Sequence, residues 1–419
     1  MKIKIDHIAK IEGHAGFTAD IVNGNVTNAR VSVLEGARLL EGILRDRKYY
    51  EVSHITARIC GVCPVVHTFA SLKAIEDAAK IKITGQTILL RELMMLGQMI
   101  NSHALHIFFF SLSDFFGIKN DLKLIQKFPD KTNQAIAIRD FGNKIIEIIG
   151  GRSIHPLTPE TGGFTKLPND EKIKQIGEEA KKILPETIKL ATFFAKLHYP
   201  EFERKTEFIS LKDDSKYAIY SGKIAINGKF VDADIASFMK KIKEYQVVED
   251  AVKRTTINEN PYMVGAIARI NNSHEQLNPK AKKILNNAKI QLPSQNPFHN
   301  ILAQAIEIVH FLEETIKLTK KKINLKLEKQ KIEIKPGLGA AAIEAPRGTL
   351  FYFYEIGDNG IIKNCNIITP TAQNLARLEE DLKIWLPILE KEGLNEDKIK
   401  DKIKMLIRAY DPCLTCATH

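Results

Sequence analysis

The chain has five cysteines, and four of them form two C-x-x-C pairs: Cys60 and Cys63 in "RICGVC", and Cys413 and Cys416 in "DPCLTCATH". One pair lies near each end, so a fold that uses all four thiols at one place must bring its two ends together. Two close pairs and a singleton, Cys365, do not resemble the many spaced cysteines of an oxidised secreted framework. Metal or redox chemistry is the better reading. Four converging thiolates can hold a soft metal. A four-cysteine zinc site is the plain alternative, although its pairs normally lie within about 15 to 20 residues of each other. An iron-sulfur cluster on the same thiolates is another. Spacing alone leaves zinc and something rarer open.

With 419 residues and 44% hydrophobic composition, the chain can bury a large core. A net charge of +11 would suit a nucleic-acid binder. The lysines are scattered, however, and crowd only in "KLTKKKINLKLEKQKIEIK", where they alternate with Ile and Glu as on a solvated surface. No nucleic-acid partner is expected. Met1 leads into "KIKIDHIAKIEGH" without a signal-peptide pattern, and no segment is read as the ~18 uncharged apolar residues that span a bilayer. The expectation is a cytoplasmic chain with no membrane span.

Residues 1–50 alternate like strands, with "NGN" as a hairpin turn, which predicts a small β-rich N-terminal portion. After "CGVC" the period lengthens. Thr68, Ser71, Leu72 and Ile75 fit a helix that follows Pro64, so the first cysteine pair sits at a helix N-terminus, where the dipole favours thiolates. Residues 84–117 are apolar almost all round a helical wheel and predict a long interior helix. Amphipathic helices are expected at 170–197, 303–323 and 371–393. Between the last two lies a strand pair, "TLFYFYEI" and "IIKNCNII", turned by "GDNG". No repeat or Gly/Ser/Pro linker divides the chain. The expected class is α+β: a long-helix bundle core with small peripheral β-sheets, forming one domain over 1–419.

Four motifs taken together, "IEGH" at Ile11–His14, "RICGVC", "EAPRG" at Glu344–Gly348 and "DPCLTCATH", resemble the large subunit of nickel-iron hydrogenases. Within that family, "NSHALH" and "CATH" look most like the soluble multimeric hydrogenases and sulfhydrogenases. The resemblance implies that Cys60, Cys63, Cys413 and Cys416 ligate nickel. It further implies that Cys63 and Cys416 also bridge to an iron carrying cyanide and carbon monoxide. Soft sulfur donors suit such a centre.

The resemblance also implies roles beyond the cysteines. Arg347 in "EAPRG" would lie over the metals, oriented by Asp411 through a charge-assisted bond. Glu41, His419 and the main-chain carbonyl near Ile367 would hold a magnesium or iron ion near the C-terminus. Glu12 would receive the proton from a cysteine sulfur. His14, His103 and His106 are weaker relay candidates, and Cys365 reads as a core residue beside the second metal. The family clips a precursor immediately after this His, so a chain ending at His419 matches the mature product and implies a maturation endopeptidase as a partner. Ser102, where many membrane-facing relatives carry an aspartate, and "TPTAQN", which replaces a Trp-bearing loop, depart from the family pattern.

The expected function is therefore reversible heterolytic cleavage of hydrogen. Electrons would pass to an iron-sulfur small subunit and on to further flavin or nucleotide subunits. The rivals are a zinc-stapled nucleic-acid-binding protein and a structural subunit related to quinone reductases; the latter normally lacks these cysteines.

Overall fold

The computed structural model describes residues 2–22, 25–248, 250–321, 325 and 332–419. Its centre is the helix Gly85–Ala104, which packs against the helix Pro129–Gly150 and the helix His299–Leu318. The first contact is close because both helices carry glycine there. A Cβ on Gly97 would stand 2.8 Å from the Gly142 carbonyl oxygen, and one on Gly142 would stand 2.8 Å from the Asn101 nitrogen. Side chains at either position would force the backbones apart.

Past Ala104 the interior helix is not uniform. It widens into a π-helical stretch, Leu105–Ser111, and then tightens to 3-10 geometry over Leu112–Phe116. Wider turns inside helices commonly mark functional positions, and this one carries His106. The whole run Gly85–Phe116 corrects the reading that no segment could span a bilayer: by length and composition this one could. In the fold, 78% of its most apolar 18-residue window is buried within the protein, so it serves as a core helix.

The small sheets lie around this core. Strands Lys2–Ile5, Ala15–Val22 and Asn25–Val33 form an antiparallel meander, as the alternation predicts. The expected turn at "NGN" falls on Asn23 and Gly24, outside the described residues. The expected strand pair is Gly348–Ile356 with Ile362–Ile368. A third strand, Gly337–Ala345, was not anticipated, because "GLGAAAIEA" offers small residues where strands usually advertise β-branched ones. It is small because it lies against the helix Pro64–Ala78. The expected amphipathic helices appear as Asp170–Ala195, His299–Leu318 and Pro370–Lys391. The end of the second, and most of the lysine-rich run after it, lie outside the described residues.

Both ends meet. Glu12 and Cys413 form a parallel β-bridge, with the Leu414 nitrogen donating to the Glu12 carbonyl at 3.0 Å. The Arg38 nitrogen donates to the Thr418 carbonyl at 2.9 Å.

Candidate metal centre

Cys63 is the N-cap of the helix Pro64–Ala78, with Pro64 at its first position. The mixed pattern of the sequence thus places that thiol on a helix N-terminus, as expected. Cys413 caps the short turn Leu414–Ala417, which follows a sharp change of direction at Asp411. Asp411 has φ 50, a left-handed conformation that aspartate tolerates better than most residues, and Pro412 then prevents the helix Glu396–Ala409 from continuing.

These two turns bring four buried sulfurs together, all within 4.8 Å of one another. Cys60 lies 353 positions from Cys413 and their sulfurs are 3.5 Å apart. Cys63 and Cys416 are 3.2 Å apart, and Cys413 and Cys416 2.7 Å apart. All are free thiols. Hydrogen bonding from Cys413 holds the Cys60 thiol well below its ordinary range, while burial pushes Cys413 and Cys416 well above it. Buried like charges at this spacing cannot all ionise without a cation among them. The donor set therefore fits a soft metal ion that would draw all four into the thiolate form.

Arg347 stands beside the thiols. Burial opposes its charge, but Asp411 and the neighbouring sulfurs hold it protonated. Its Nε donates to the Asp411 carbonyl at 2.7 Å and its Nη2 lies 2.9 Å from the Asp411 carboxylate. Its Nη1 is buried and has no partner, a donor left for an anionic ligand at the site. Gln304 donates to the other Asp411 oxygen at 3.0 Å. Glu12 also reaches the thiols: Cys413 Sγ donates to its Oε2 at 3.0 Å, and Thr415 binds it through both backbone nitrogen (3.1 Å) and hydroxyl (2.6 Å).

A second cluster lies under the C-terminal segment. The Glu41 carboxylate accepts from the Ile367 nitrogen at 2.8 Å and lies 3.8 Å from His419 Nε2. The two ring nitrogens of His419 each face a carbonyl oxygen, Cys416 at 2.6 Å and Ile367 at 2.8 Å. A neutral imidazole has one N–H for these two acceptors, so a cation between Nε2 and the Ile367 carbonyl would remove the mismatch. Carboxylate, carbonyl and imidazole together suit a divalent ion. Lys253 already engages the other Glu41 oxygen at 3.2 Å. Cys365 lies beside this cluster, its thiol donating to the Glu41 carbonyl at 3.2 Å, and burial pushes it up to about 12.

The histidines divide. His14 is exposed and pairs with His7 at 3.2 Å. His103 is buried on Glu307 at 2.7 Å. His106, on the π-helical turn, bonds Gln304 and the Arg408 carbonyl. Ser102 is buried with an unpartnered hydroxyl. Sequence reasoning missed four residues around the thiols. His67 Nε2 is 3.5 Å from Cys416 Sγ; burial lowers it to about 3, so it is neutral. Its place, one helical turn after Cys63, was the available signal. Thr371, within "TPTAQN", accepts from the Cys413 nitrogen at 3.0 Å. Gln98 bridges Val62 and Val65. Arg38 donates to the carbonyls of Ile59 and Thr415, tying the two cysteine segments together.

The sequence profile described as nickel-dependent hydrogenase matches residues 38–137 and 252–419, which include all four paired cysteines. Across its full length the chain is 35% identical to sulfhydrogenase 1 subunit alpha of Pyrococcus furiosus and covers 98% of that protein. It is 32% identical to sulfhydrogenase 2 subunit alpha of the same organism, covering 99% of it. The crystal structure of an NAD+-reducing NiFe hydrogenase in the H2-reduced state superposes with a TM-score of 0.90 at 26% identity, with 100% of this chain and 99% of that one covered. The chain belongs to the nickel-dependent hydrogenase family and is an oxidoreductase of that class. Sulfhydrogenase alpha subunits among its relatives agree with the subgroup that "NSHALH" and "CATH" suggested.

Proposed function

We propose that this chain is the catalytic subunit of a cytoplasmic hydrogenase that cleaves hydrogen heterolytically and reversibly and passes electrons to an iron-sulfur partner subunit, onward to NAD(P) or a similar soluble acceptor. The observation that carries the reading is the convergence of four buried thiols from both ends of the chain beside Arg347. A nickel-iron centre with iron-bound cyanide and carbon monoxide, when bound, supplies the cleavage chemistry. Cys60, Cys63, Cys413 and Cys416 would hold it. Arg347, kept in orientation by Asp411, offers Nη1 to an anionic cyanide. Glu12 takes a proton from Cys413 Sγ on its Oε2, across the 3.0 Å contact. Nickel and iron in purified protein by mass spectrometry, together with infrared bands of cyanide and carbon monoxide, test this directly. Zinc in their place would reject it.

The same reading treats residues 1–419 as one domain, with 1–50 its β-rich portion, and a maturation endopeptidase as a transient partner. It also assigns Glu41, the Ile367 carbonyl and His419 to a magnesium or iron ion that pins the C-terminal segment. A ligand held at 100-fold its Kd contributes about 2.7 kcal/mol to stability. Glu41→Ala is therefore expected to lower Tm by several degrees and to remove the Tm response to a chelator, while nickel content stays close to wild type. An unchanged melting curve would make Glu41 an ordinary surface charge.

Electrons must leave through another polypeptide, because Cys365 alone cannot hold a cluster that needs about four ligands. The face beside Cys60 is suited to such a partner. Leu39, Ile43, Tyr50, Ile154 and Leu157 are exposed in the neighbouring segments, and Arg38 on Ile59 and His155 on Ala57 tie those around 38 and 155 to the stretch that leads into Cys60. A cluster-bearing subunit seated on this apolar face would approach the thiols by a short route. Leu39→Glu combined with Ile154→Asp is expected to weaken partner retention by about tenfold or more in Kd, the equivalent of ~1.4 kcal/mol. Undiminished co-purification of the partner would place its seat elsewhere.

A further inference from the structure

We propose that Arg269, held by Glu307 and Glu344, is a positioning residue that aims the Arg347 guanidinium by clamping the two carbonyls ahead of it. The inference rests on the proposed role of Arg347. All three clamp residues are buried. Arg269 Nε and Nη2 grip the two oxygens of Glu307 at 2.6 and 2.7 Å. Its Nη1 donates to Glu344 and to the Ala345 carbonyl, both at 2.9 Å, and its Nη2 also donates to the Pro346 carbonyl at 3.2 Å. All five donors of a guanidinium are thus engaged, two of them on the backbone immediately before Arg347.

The clamp is itself anchored. Glu344 accepts from the Leu211 nitrogen and the Thr349 hydroxyl, each at 2.7 Å. Tyr217 donates to Glu307 at 2.7 Å, on the oxygen that Arg269 Nε also holds. On the other side of Arg347, Gly348 has φ 134, and a Cβ there would lie 2.8 Å from the Gly265 nitrogen. The chain is therefore immobilised on both sides of Arg347, whose side chain then has Nε and Nη2 on Asp411 and Nη1 free. A relay role for the clamp fits poorly. Burial would raise the Glu307 carboxyl, yet Arg269 brings it down to about 2, and both of its oxygens are doubly engaged. It holds charge in place and does not pass protons.

Lysine at 269 would keep the charge but could not span a carboxylate and two carbonyls. In the intact multi-subunit enzyme, Arg269→Lys is expected to retain nickel and iron. Its cyanide infrared bands should move in the same direction as those of Arg347→Lys. Exchange of deuterium gas with water protons should fall about 10²-fold, the usual effect of ~1 Å misplacement. The double variant should match Arg347→Lys alone, because Arg269 acts through Arg347. Unmoved bands in Arg269→Lys, or additive effects in the double variant, would overturn the inference while leaving the Arg347 assignment intact. Silence in Arg347→Lys itself would overturn that assignment and this inference together. Glu307→Gln, which loosens the same grip without changing Arg269, must reproduce the band shift. Failure of both clamp variants to fold would show that the cluster holds the core and not the guanidinium.

Discussion

Cys416→Ser is expected to yield a protein with background nickel and no measurable hydrogen turnover. Cys416 Sγ lies within 2.7 Å of Cys413, 3.2 Å of Cys63 and 3.5 Å of His67 Nε2, so it touches both its own partner and the first pair. A serine oxygen is shorter-reaching and harder, and it does not ionise near neutral pH as a thiol does beside a metal. Three thiolates would remain, but the fourth corner and the expected bridge to iron would be lost. The surrounding packing is almost unchanged by one atom, so the chain should still fold. Mass spectrometry for nickel and iron on the purified variant checks this. Normal metal content with normal turnover would rule out a four-thiol site.

Glu12→Gln is expected to assemble its metals fully and to lose roughly 10² to 10⁴ in turnover, the range for a positioned acid or base. The amide keeps the size of the side chain and an acceptor for Thr415, whose nitrogen and hydroxyl hold the native carboxylate. It cannot cycle a proton received from Cys413 Sγ, 3.0 Å away. Deuterium exchange with water isolates the step because it requires proton transfer and no electron acceptor. Wild-type exchange at full nickel occupancy would mean that the proton leaves by another route. Of the histidine candidates, His14 is exposed and its ring pairs with His7, which makes it a poor substitute.

The cysteine site was legible because its chemistry is written in local spacing at both ends, and the turns that carry it are signalled by Pro64 and Pro412. The hairpin at "EAPRG" was half legible. Its strand Gly348–Ile356 is aromatic and alternating, whereas Gly337–Ala345 is made of small residues whose only reason is the helix they lie against. Arg269, Glu307 and Glu344 come from a short helix, a long helix and a strand, with no shared spacing. A buried ion cluster of that kind is a property of tertiary packing and leaves no trace in any one window of sequence. Thr371 was inside a stretch noted only as a departure from a pattern. Its contact is with a backbone nitrogen, which any sequence could offer. The interior helix was correct in place and burial, but nothing in its pattern announced the π-helical turn, where His106 meets Gln304 and Arg408, residues on two other helices.

Cys60 and Cys413 are 353 positions apart, and their meeting sets an order of events. Closing a loop of that length carries an entropic penalty on the order of 5 kcal/mol beyond the constant term, and nothing at the thiols can offset it until the intervening helices have packed. During synthesis, the first pair emerges and can be presented on its helix long before residues 411–419 have left the ribosome. For that interval Cys60 and Cys63 form an open half-site, with Arg347 and Asp411 arriving only later. The Glu12–Cys413 bridge and the Arg38 bonds to Ile59 and Thr415 are therefore contacts that form only once both ends of the chain are present.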